Sequence, residues 1–311
     1  MEQPRSAELS HMGFERITRA FKSFAAAPLL SAFAPVIETR CGNRRVRVDL
    51  RDRIIGRSVF IYHAYETELQ RLMSHMALAG GVCVDVGANI GLHTIEMSAL
   101  AGDRGKVFAF EPETHNYELL RYNLEANGCG NVQALNFGVS DGEGVAFMRL
   151  SDINFGDHRL ATGAEVSPSS PQVKLISLDK ALDGVPQGAI RFIKIDVQGH
   201  EMQVIRGMER TLARNPDAIL MIEVSPDILP KVGSSASELM GFFVNRGYRA
   251  WELQDHRVFP APEPWTYEFI RNGRWADVLF CRNEAWLREV MSNYAGRAVP
   301  VPEAVSAAAI A

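Results

Sequence analysis

Short apolar segments alternate with amphipathic ones through the middle of the chain. The apolar segments predict strands at 82–86, 106–111, 131–137, 190–197 and 218–224. Apolar residues at helical spacing predict helices at 92–101, 113–127 and 235–246, and one more that buries Met202, Ile205, Met208 and Leu212. Two last strands, Tyr248 to Leu253 and Asp277 to Cys281, are expected to close the sheet. This alternation is typical of an α/β fold with a mostly parallel sheet and helices on both faces.

Two regions depart from this alternation. Upstream, residues 44–50 and Val59–Tyr62 alternate like strands, and Tyr65-Glu66 opens a helix that Gly80-Gly81 ends. Between the third and fourth core strands, two short strands flank a Ser- and Pro-rich loop, which predicts an insertion over the ligand pocket. We therefore expect an N-terminal extension of helix, short strands and helix over 1–80, a main domain over 81–283 with the insertion at 143–178, and a partly disordered tail over 284–311.

Charge and cysteine usage narrow the class of protein. The 311 residues carry a net charge of −4, which argues against a nucleic-acid partner because such partners favour a basic surplus. Four widely spaced cysteines predict reduced, buried or half-buried thiols and a cytoplasmic location. No run of about 18 apolar residues and no signal peptide is seen, so no membrane span is expected.

The first helix leaves two interpretations open. Phe14, Ile17, Phe21 and Phe24 fall at helical spacing, with basic residues between them. A basic amphipathic helix can lie on a membrane surface. Nearby glutamates nearly cancel its charge, so docking on the core or on a second subunit is the preferred interpretation. Peripheral membrane contact and a homodimer both stay open.

The loop after the first core strand carries the strongest functional signal. Asp85-Val86-Gly87-Ala88-Asn89-Ile90-Gly91 places an acid on the strand and then a Gly-x-Asn-x-Gly turn before a helix. Dinucleotide-binding folds use Gly-x-Gly-x-x-Gly there, with the acid further along. Exposed N–H groups and a carboxylate suit an amino-acid head group. The loop therefore predicts a site for S-adenosylmethionine.

The ends of the next strands supply further candidates, because ligands of such sheets bind beyond the carboxyl ends of the strands. Glu111 is placed to take both ribose hydroxyls. Ser140-Asp141 can bond the adenine amine, or can form a simple turn before Gly142. Asp196 is expected at the pocket mouth.

Three more residues have two interpretations each. Glu201 either contacts the acceptor or caps a helix N-terminus. Glu223 either faces the acceptor or caps its strand. In the insertion, Asn154 and His158 belong to a polar flap around Gly156, although a lone histidine is more often a surface residue.

The chain resembles the FkbM-type family of S-adenosylmethionine-dependent methyltransferases. The resemblance is carried by the Asp85–Gly91 loop, Tyr65-Glu66, Glu111-Pro112, Asn154-x-Gly156 and Lys194–Glu201, and covers roughly residues 45–225. It implies a class I methyltransferase fold, a seven-stranded Rossmann-like sheet with one antiparallel strand. It further implies a cofactor site that includes Tyr65 and Glu66, and O-methylation of a sugar, glycan or other small molecule. The chain departs from the family's usual Glu at Gln198, and from its usual aromatic at His93.

A hydroxyl acceptor must lose its proton as the new bond forms. Asp196, His200 and His158 are the candidate bases. Asp196, Glu201 and Glu223 are candidate ligands of a divalent cation that would acidify the hydroxyl. The acceptor itself is expected to be set by the insertion, the extension and C-terminal aromatic residues such as Trp275. Two alternatives remain: a methyltransferase acting on RNA or protein, and a non-catalytic nucleotide-binding protein of the same fold.

Overall fold

The computed structural model describes residues 18–19, 22–254, 257–260, 273–283 and 285. In chain order, the described strands are β1 (Val36–Cys41), β2 (Arg44–Asp49), β3 (Val82–Val86), β4 (Lys106–Phe110), β5 (Val132–Leu135), β6 (Gly138–Val139), β7 (Gly144–Arg149), β8 (Arg159–Leu160), β9 (Gln172–Ile176), β10 (Ile190–Ile195), β11 (Ile219–Val224), β12 (Arg249–Gln254), β13 (Arg257–Pro260) and β14 (Ala276–Cys281).

The α-helices lie between the strands and ahead of them. A short π-helix (Lys22–Ala26) leads into the first, and the described α-helices are α1 (Ala27–Phe33), α2 (Ile55–Tyr62), α3 (Thr67–Met73), α4 (Leu92–Ala101), α5 (Thr114–Ala126), α6 (Leu178–Ala181), α7 (Glu201–Arg206), α8 (Glu209–Arg214) and α9 (Ala236–Val244).

The main sheet has the strand order β13-β12-β14-β11-β10-β3-β4-β5. Strands β5, β4, β3, β10 and β11 are parallel, and β14 runs antiparallel between β11 and β12. This arrangement confirms the predicted α/β fold with seven mostly parallel strands. An eighth strand, β13, adds to the predicted set by pairing with β12 at the outer edge.

The sheet is buried on both faces because each parallel strand alternates apolar side chains toward two helical layers. One core packs the face of β10 and β11 against α7, α8 and α9. A second core packs the other face against α3 and α4. With both faces covered, the carboxyl ends of the strands are where side chains can reach a ligand.

One predicted strand is wrong. Val59–Tyr62 forms the second half of α2, not a strand. Ile55 and Val59, one helical turn apart, are both buried, while the left-handed His63 ends the helix. Four apolar and aromatic residues in a row do not by themselves separate the two periodicities.

The predicted helix that buries Met202, Ile205, Met208 and Leu212 is divided into α7 and α8. All four side chains are buried, as expected. The break falls at Gly207, where a Cβ would lie 2.0 Å from the carbonyl oxygen of Ser140. The helix is therefore interrupted where the chain after β6 packs against it.

The helix opened by Tyr65-Glu66 is also shorter than predicted, since α3 ends at Met73 and not near Gly80. Strand β1 was not predicted. It pairs with β2 as an antiparallel hairpin.

The extension and the insertion both pack on the main domain. Val46 and Val48 of β2 share a buried cluster with Ile90, Ile95 and Leu120. The insertion forms a second sheet in the order β6-β9-β7-β8. The boundaries predicted for these units stay predictions.

Some predictions for the first and last segments fall on residues that the structure does not describe. Phe14, Ile17 and Phe21 lie outside the described residues, as does the predicted tail over 284–311 apart from residue 285. Within the described residues, no helix has the length and apolar character needed to cross a membrane. The four cysteines are free thiols, three buried and one half-buried, as predicted.

Candidate functional site

A cavity of about 1180 Å³ opens at the carboxyl ends of the parallel strands. Residues at the ends of β3, β4, β10 and β11 line it, together with the segment before α3 and residues 148–160 of the insertion. A pocket for one small ligand usually measures about 300–1,000 Å³. The cavity is therefore somewhat larger than a pocket for a single small ligand.

The loop after β3 is shaped by contacts inside the protein. Gly87 has φ +80°, and a Cβ there would lie 1.8 Å from the carbonyl oxygen of Asp196. Gly91 has φ +88°, and a Cβ there would lie 2.5 Å from Leu120 Cδ1. Gly87 lines the cavity, as predicted, whereas Gly91 packs against α5 and does not.

The structure does not bring Asp85 to the cavity. The residue is 1% exposed, and its Oδ2 accepts a hydrogen bond from Thr94 Oγ1 at 2.6 Å. Its Oδ1 lies 3.9 Å from Lys194 Nζ. Asp85 sits one residue inside β3, where helices cover the sheet. The acid predicted for the cofactor head group instead ties β3 to α4 and β10.

Glu111 follows the last residue of β4 and lines the cavity. Its Oε2 accepts the Asn89 N–H at 2.8 Å and its Oε1 accepts the Glu113 N–H at 2.9 Å. Burial raises the pKa of Glu111 to about 8, although both backbone bonds oppose the shift. Each oxygen keeps a second lone pair. The carboxyl group is thus fixed in orientation and still able to accept two hydroxyl donors.

Ser140 and Asp141 do not line the cavity. Ser140 is 4% exposed, and its hydroxyl lies 2.9 Å from His200 Nε2 and 3.2 Å from Asp141 Oδ1. The stretch of this strand end that does line the cavity is Phe137–Val139. His200 also lines it, and burial lowers the pKa of His200 to about 4.

Gln198 joins two carboxyl groups from neighbouring strand ends. Its Nε2 donates to Asp196 Oδ1 at 2.9 Å and to Glu223 Oε1 at 2.7 Å. The residue has φ +52°, a left-handed conformation that turns its amide into the cavity. Asp196 Oδ2 also accepts from Lys194 Nζ at 3.2 Å, and Lys194 is 2% exposed.

The predicted cation site is not assembled. Glu201 is 1% exposed, and its Oε1 accepts the Gly199 N–H at 2.9 Å, so it is a capping residue outside the cavity. Burial raises the pKa of Glu201 to about 7. Asp196 and Glu223 do line the cavity. Within the described part of the chain, no group of three or more His, Cys, Asp or Glu side chains is placed to hold a metal ion.

Tyr65 and Glu66 line the cavity, as the family resemblance implies. Glu66 has φ +41° and caps α3, and its Oε2 lies 2.6 Å from His93 Nε2. Partial removal from water would raise the pKa of Glu66, whose side chain is still 42% exposed, but the hydrogen bond and charge of His93 lower it to about 2. The histidine that replaces an aromatic residue thus holds a carboxylate at the cavity wall.

The insertion flap docks directly on the glycine loop. The carbonyl oxygen of Phe155 accepts from Asn89 Nδ2 and Asn116 Nδ2, each at 3.3 Å. Asn154 shapes the turn, because its Oδ1 accepts the Gly156 N–H at 3.0 Å. Asn154 and His158 both line the cavity, and His158 stacks on Phe155 with ring centroids 5.1 Å apart.

The bonding of His158 limits its use as a base. Its Nδ1 accepts the Ser151 N–H at 3.0 Å. The neutral ring must therefore carry its proton on Nε2, where it is a donor. Burial also lowers the pKa of His158.

Sequence reasoning missed several participants. Lys194 could have been found from the sequence, because a lysine inside the apolar strand β10 is buried only with a charged or polar partner. The contact between Phe155 and Asn116 could not be predicted from the sequence, because it joins segments far apart in the chain. Trp275, one of the C-terminal aromatic residues expected to help set the acceptor, lines the cavity and is 62% exposed.

A family model and several known proteins resemble this chain. The family model of the methyltransferase FkbM domain matches residues 85–250. Hexuronic acid methyltransferase AglP of Haloferax volcanii is 29% identical, over 53% of this chain and 65% of AglP. Methyltransferase sdnD of Sordaria araneosa is 25% identical, over 64% of this chain and 85% of sdnD.

A crystal structure of methyltransferase FkbM from Methylobacillus flagellatus KT aligns with 65% of this chain and 43% of that chain, at 17% identity and a TM-score of 0.40. The chain therefore spans less than two thirds of the length of AglP and of the Methylobacillus chain. The FkbM domain, in contrast, occupies more than half of the chain. The chain belongs to the FkbM methyltransferase family.

Proposed function

We propose that the protein transfers a methyl group from S-adenosylmethionine to a hydroxyl group of a sugar, a glycan or another small molecule. The observation that carries the proposal is Glu111. Its carboxyl group is held by the N–H groups of Asn89 and Glu113 at the mouth of the glycine loop. A buried carboxyl group whose two oxygens each keep a second lone pair favours a ligand with two neighbouring hydroxyls, such as a ribose.

Two features support a small acceptor. Acidic side chains outnumber basic ones among the cavity residues, which does not favour an RNA acceptor. AglP acts on a hexuronic acid by its name, and it shares 29% identity with this chain. A uronic acid is therefore the first acceptor class to test, and Trp275 offers an exposed aromatic face for a sugar ring.

The residues of the cavity would align two ligands and exclude water. The bound donor supplies an activated methyl group on a sulfonium. Glu111 would hold the ribose, while Glu66 and Asp196 would offer acceptors to the ammonium of its amino-acid end. The flap around Phe155 lies across the glycine loop and would keep water from the reacting atoms.

Isothermal titration of S-adenosylhomocysteine tests the donor site. We expect Glu111→Gln to weaken binding about tenfold, because the amide nitrogen cannot accept a ribose hydroxyl and a buried donor left unpaired costs about 1–3 kcal/mol. Glu118→Gln is the matched control, since Glu118 is an exposed acid on α5 outside the cavity. Absence of binding by the wild-type protein, or equal affinity of all three proteins, would contradict the proposal.

Transfer of a radiolabelled methyl group tests the acceptor. Glucuronic and galacturonic acid glycosides would be compared with the matching glucosides and galactosides, and with bulk RNA. We expect label on the glycosides and none on the RNA. Label on RNA alone would favour the alternative acceptor class.

A further inference from the structure

Three carboxyl groups stand in a row on one face of the main sheet, at its cavity end. Ile195 pairs with Ile222, so Asp196 follows β10 beside Glu223 of β11. Glu223 in turn pairs directly with Asp277 of β14. Residues opposite each other on neighbouring strands point to the same face, with Cβ atoms about 4.5–5.5 Å apart. Asp196, Glu223 and Asp277 therefore adjoin one another across three strands.

The surroundings of these acids differ. Asp196 accepts hydrogen bonds at both oxygens, from Lys194 and from Gln198. Glu223 accepts from the neutral amide of Gln198 and has a carboxyl group on each side of it in the row. A negative charge on Glu223 is thus placed beside a neutral amide and between two acids.

Other charged groups face this row from the elements packed on it. Lys194 comes from β10, Asp277 from β14, and Tyr65, Glu66 and Glu68 from the start of α3. Burial, and then the charges of Asp196, Asp277 and Glu66, raise the pKa of Glu223 well above its ordinary value. Burial, and then Glu66 and Asp196, raise the pKa of Asp277 despite Lys194.

The three bases predicted from the sequence fit the task less well. His158 presents a donor nitrogen, because its Nδ1 accepts the Ser151 N–H. His200 Nε2 is engaged by Ser140, and burial keeps its pKa near 4. Asp196 accepts from Lys194 and Gln198, and its remaining lone pairs are the ones proposed above for the ammonium of the methyl donor.

We propose that Glu223 is the catalytic residue that takes the proton of the acceptor hydroxyl, and that Asp277 is a positioning residue that keeps Glu223 a strong proton acceptor. This proposal rests on the proposed methyl transfer. The acceptor oxygen bonds to the methyl carbon, and the bond from that carbon to sulfur breaks with its electron pair left on sulfur. The hydroxyl proton moves to the Glu223 carboxylate and later leaves to water through the open cavity.

Carbon NMR of protein labelled at the glutamate carboxyl carbon tests the electrostatic part. The Glu223 resonance is the one that Glu223→Gln removes. We expect it to titrate well above about pH 4.3, the ordinary value for glutamate. Asp277→Asn should move that titration to lower pH, whereas Asp217→Asn, which removes an exposed acid elsewhere, should not. The proposal would be overturned if Glu223 titrated near its ordinary pH and Asp277→Asn did not change that pH.

Steady-state kinetics test the catalytic part of the proposal. The substrate is the glycoside that becomes labelled in the transfer experiment above. Glu223→Gln should lower kcat about 100-fold or more, the usual contribution of a general base, while S-adenosylhomocysteine binds within about threefold of wild type. Asp277→Asn should move the acid limb of the pH–kcat profile to lower pH, which a purely structural role would not do. A kcat of Glu223→Gln within about threefold of wild type would overturn the proposal.

Titration with Mn²⁺ distinguishes a general base from a metal ligand at Glu223. Mn²⁺ binding that Glu223→Gln abolishes would make Glu223 an ionised metal ligand and would overturn the proposal. No such binding is expected. Loss of S-adenosylhomocysteine binding by the wild-type protein would instead contradict the methyltransferase proposal itself, so the two failures are distinguishable.

Discussion

Gly87 shows how one position joins the fold to the site. Its left-handed φ of +80° and its 1.8 Å approach to the Asp196 carbonyl oxygen are two separate demands for glycine. Gly128 meets only the first, with φ +67° and no atom within 4 Å of the point that a Cβ would occupy. The two glycines therefore separate backbone strain from steric contact.

We expect Gly128→Ala to cost about 1–2 kcal/mol of unfolding free energy, from its left-handed backbone alone. Gly87→Ala should cost more than about 3 kcal/mol, because β3 and β10 must also move apart. Urea unfolding of both variants measures the difference. Equal destabilisation would mean that the contact with Asp196 has no cost.

Lys194 is a buried cation between two acids. We expect Lys194→Met to destabilise the protein by about 3–5 kcal/mol, because it leaves Asp85 and Asp196 without their counter-charge. The double variant with Asp85→Asn should recover part of the loss. Urea unfolding at neutral pH measures both, and an unchanged single variant would contradict the role assigned to Lys194.

For single residues, the sequence predicted which ones lie near strand ends better than it predicted where their side chains point. Asp85 and Glu111 both belong to core strand ends, and only Glu111 reaches the cavity. Asp85 lies within its strand and is enclosed by helices, whereas Glu111 follows the last residue of β4. The sequence pattern locates a strand end to within about two residues, which is not fine enough to decide this difference.

Helix α5 holds two other segments through two asparagines. Asn116 donates to the Phe155 carbonyl of the flap. Asn123 donates to the Arg47 carbonyl of β2 and accepts the Arg47 N–H at 2.6 Å. One helix thus fixes the insertion at its start and the extension near its end.

Amide hydrogen exchange can separate these two attachments. We expect Asn116→Ala to speed exchange in residues 151–160 and to leave β2 unchanged. Asn123→Ala should do the reverse, so each variant is the control for the other. Faster exchange in both regions from either substitution would indicate general loosening of α5.

At the element scale, the regular α/β part was predictable and its exceptions were not. The five parallel strands follow from apolar runs of the length that a doubly covered sheet needs. The break at Gly207 arises from a contact with Ser140, more than sixty residues earlier in the chain. The helix at Val59–Tyr62 depends on the packing of α2 in the buried cluster with β2.

Buried acids give the whole molecule a pH-dependent stability. Glu201 is a clear case, since burial raises its pKa to about 7 from about 4.3 in an unfolded chain. The folded protein holds this proton more tightly than the unfolded chain. The resulting stability is fully present below about pH 4.3 and is lost as the pH rises through 7.

We expect wild-type protein to lose about 2.5 kcal/mol more than Glu201→Gln between pH 5 and pH 8, because the amide does not titrate. Glu125→Gln, an exposed change on α5, should track wild type. Urea unfolding at several pH values measures all three. Parallel curves for wild type and Glu201→Gln would show that Glu201 keeps its ordinary proton affinity.

The two ends of the insertion lie side by side, because Gly144 of β7 pairs with Leu175 of β9. A segment whose ends adjoin can be exchanged without stretching the chain on either side. Glu111 and the glycine loop lie outside this segment, while Asn154 and His158 lie inside it. Under the proposed function, transplanting residues 143–178 between relatives should therefore exchange the acceptor preference and leave the donor site unchanged.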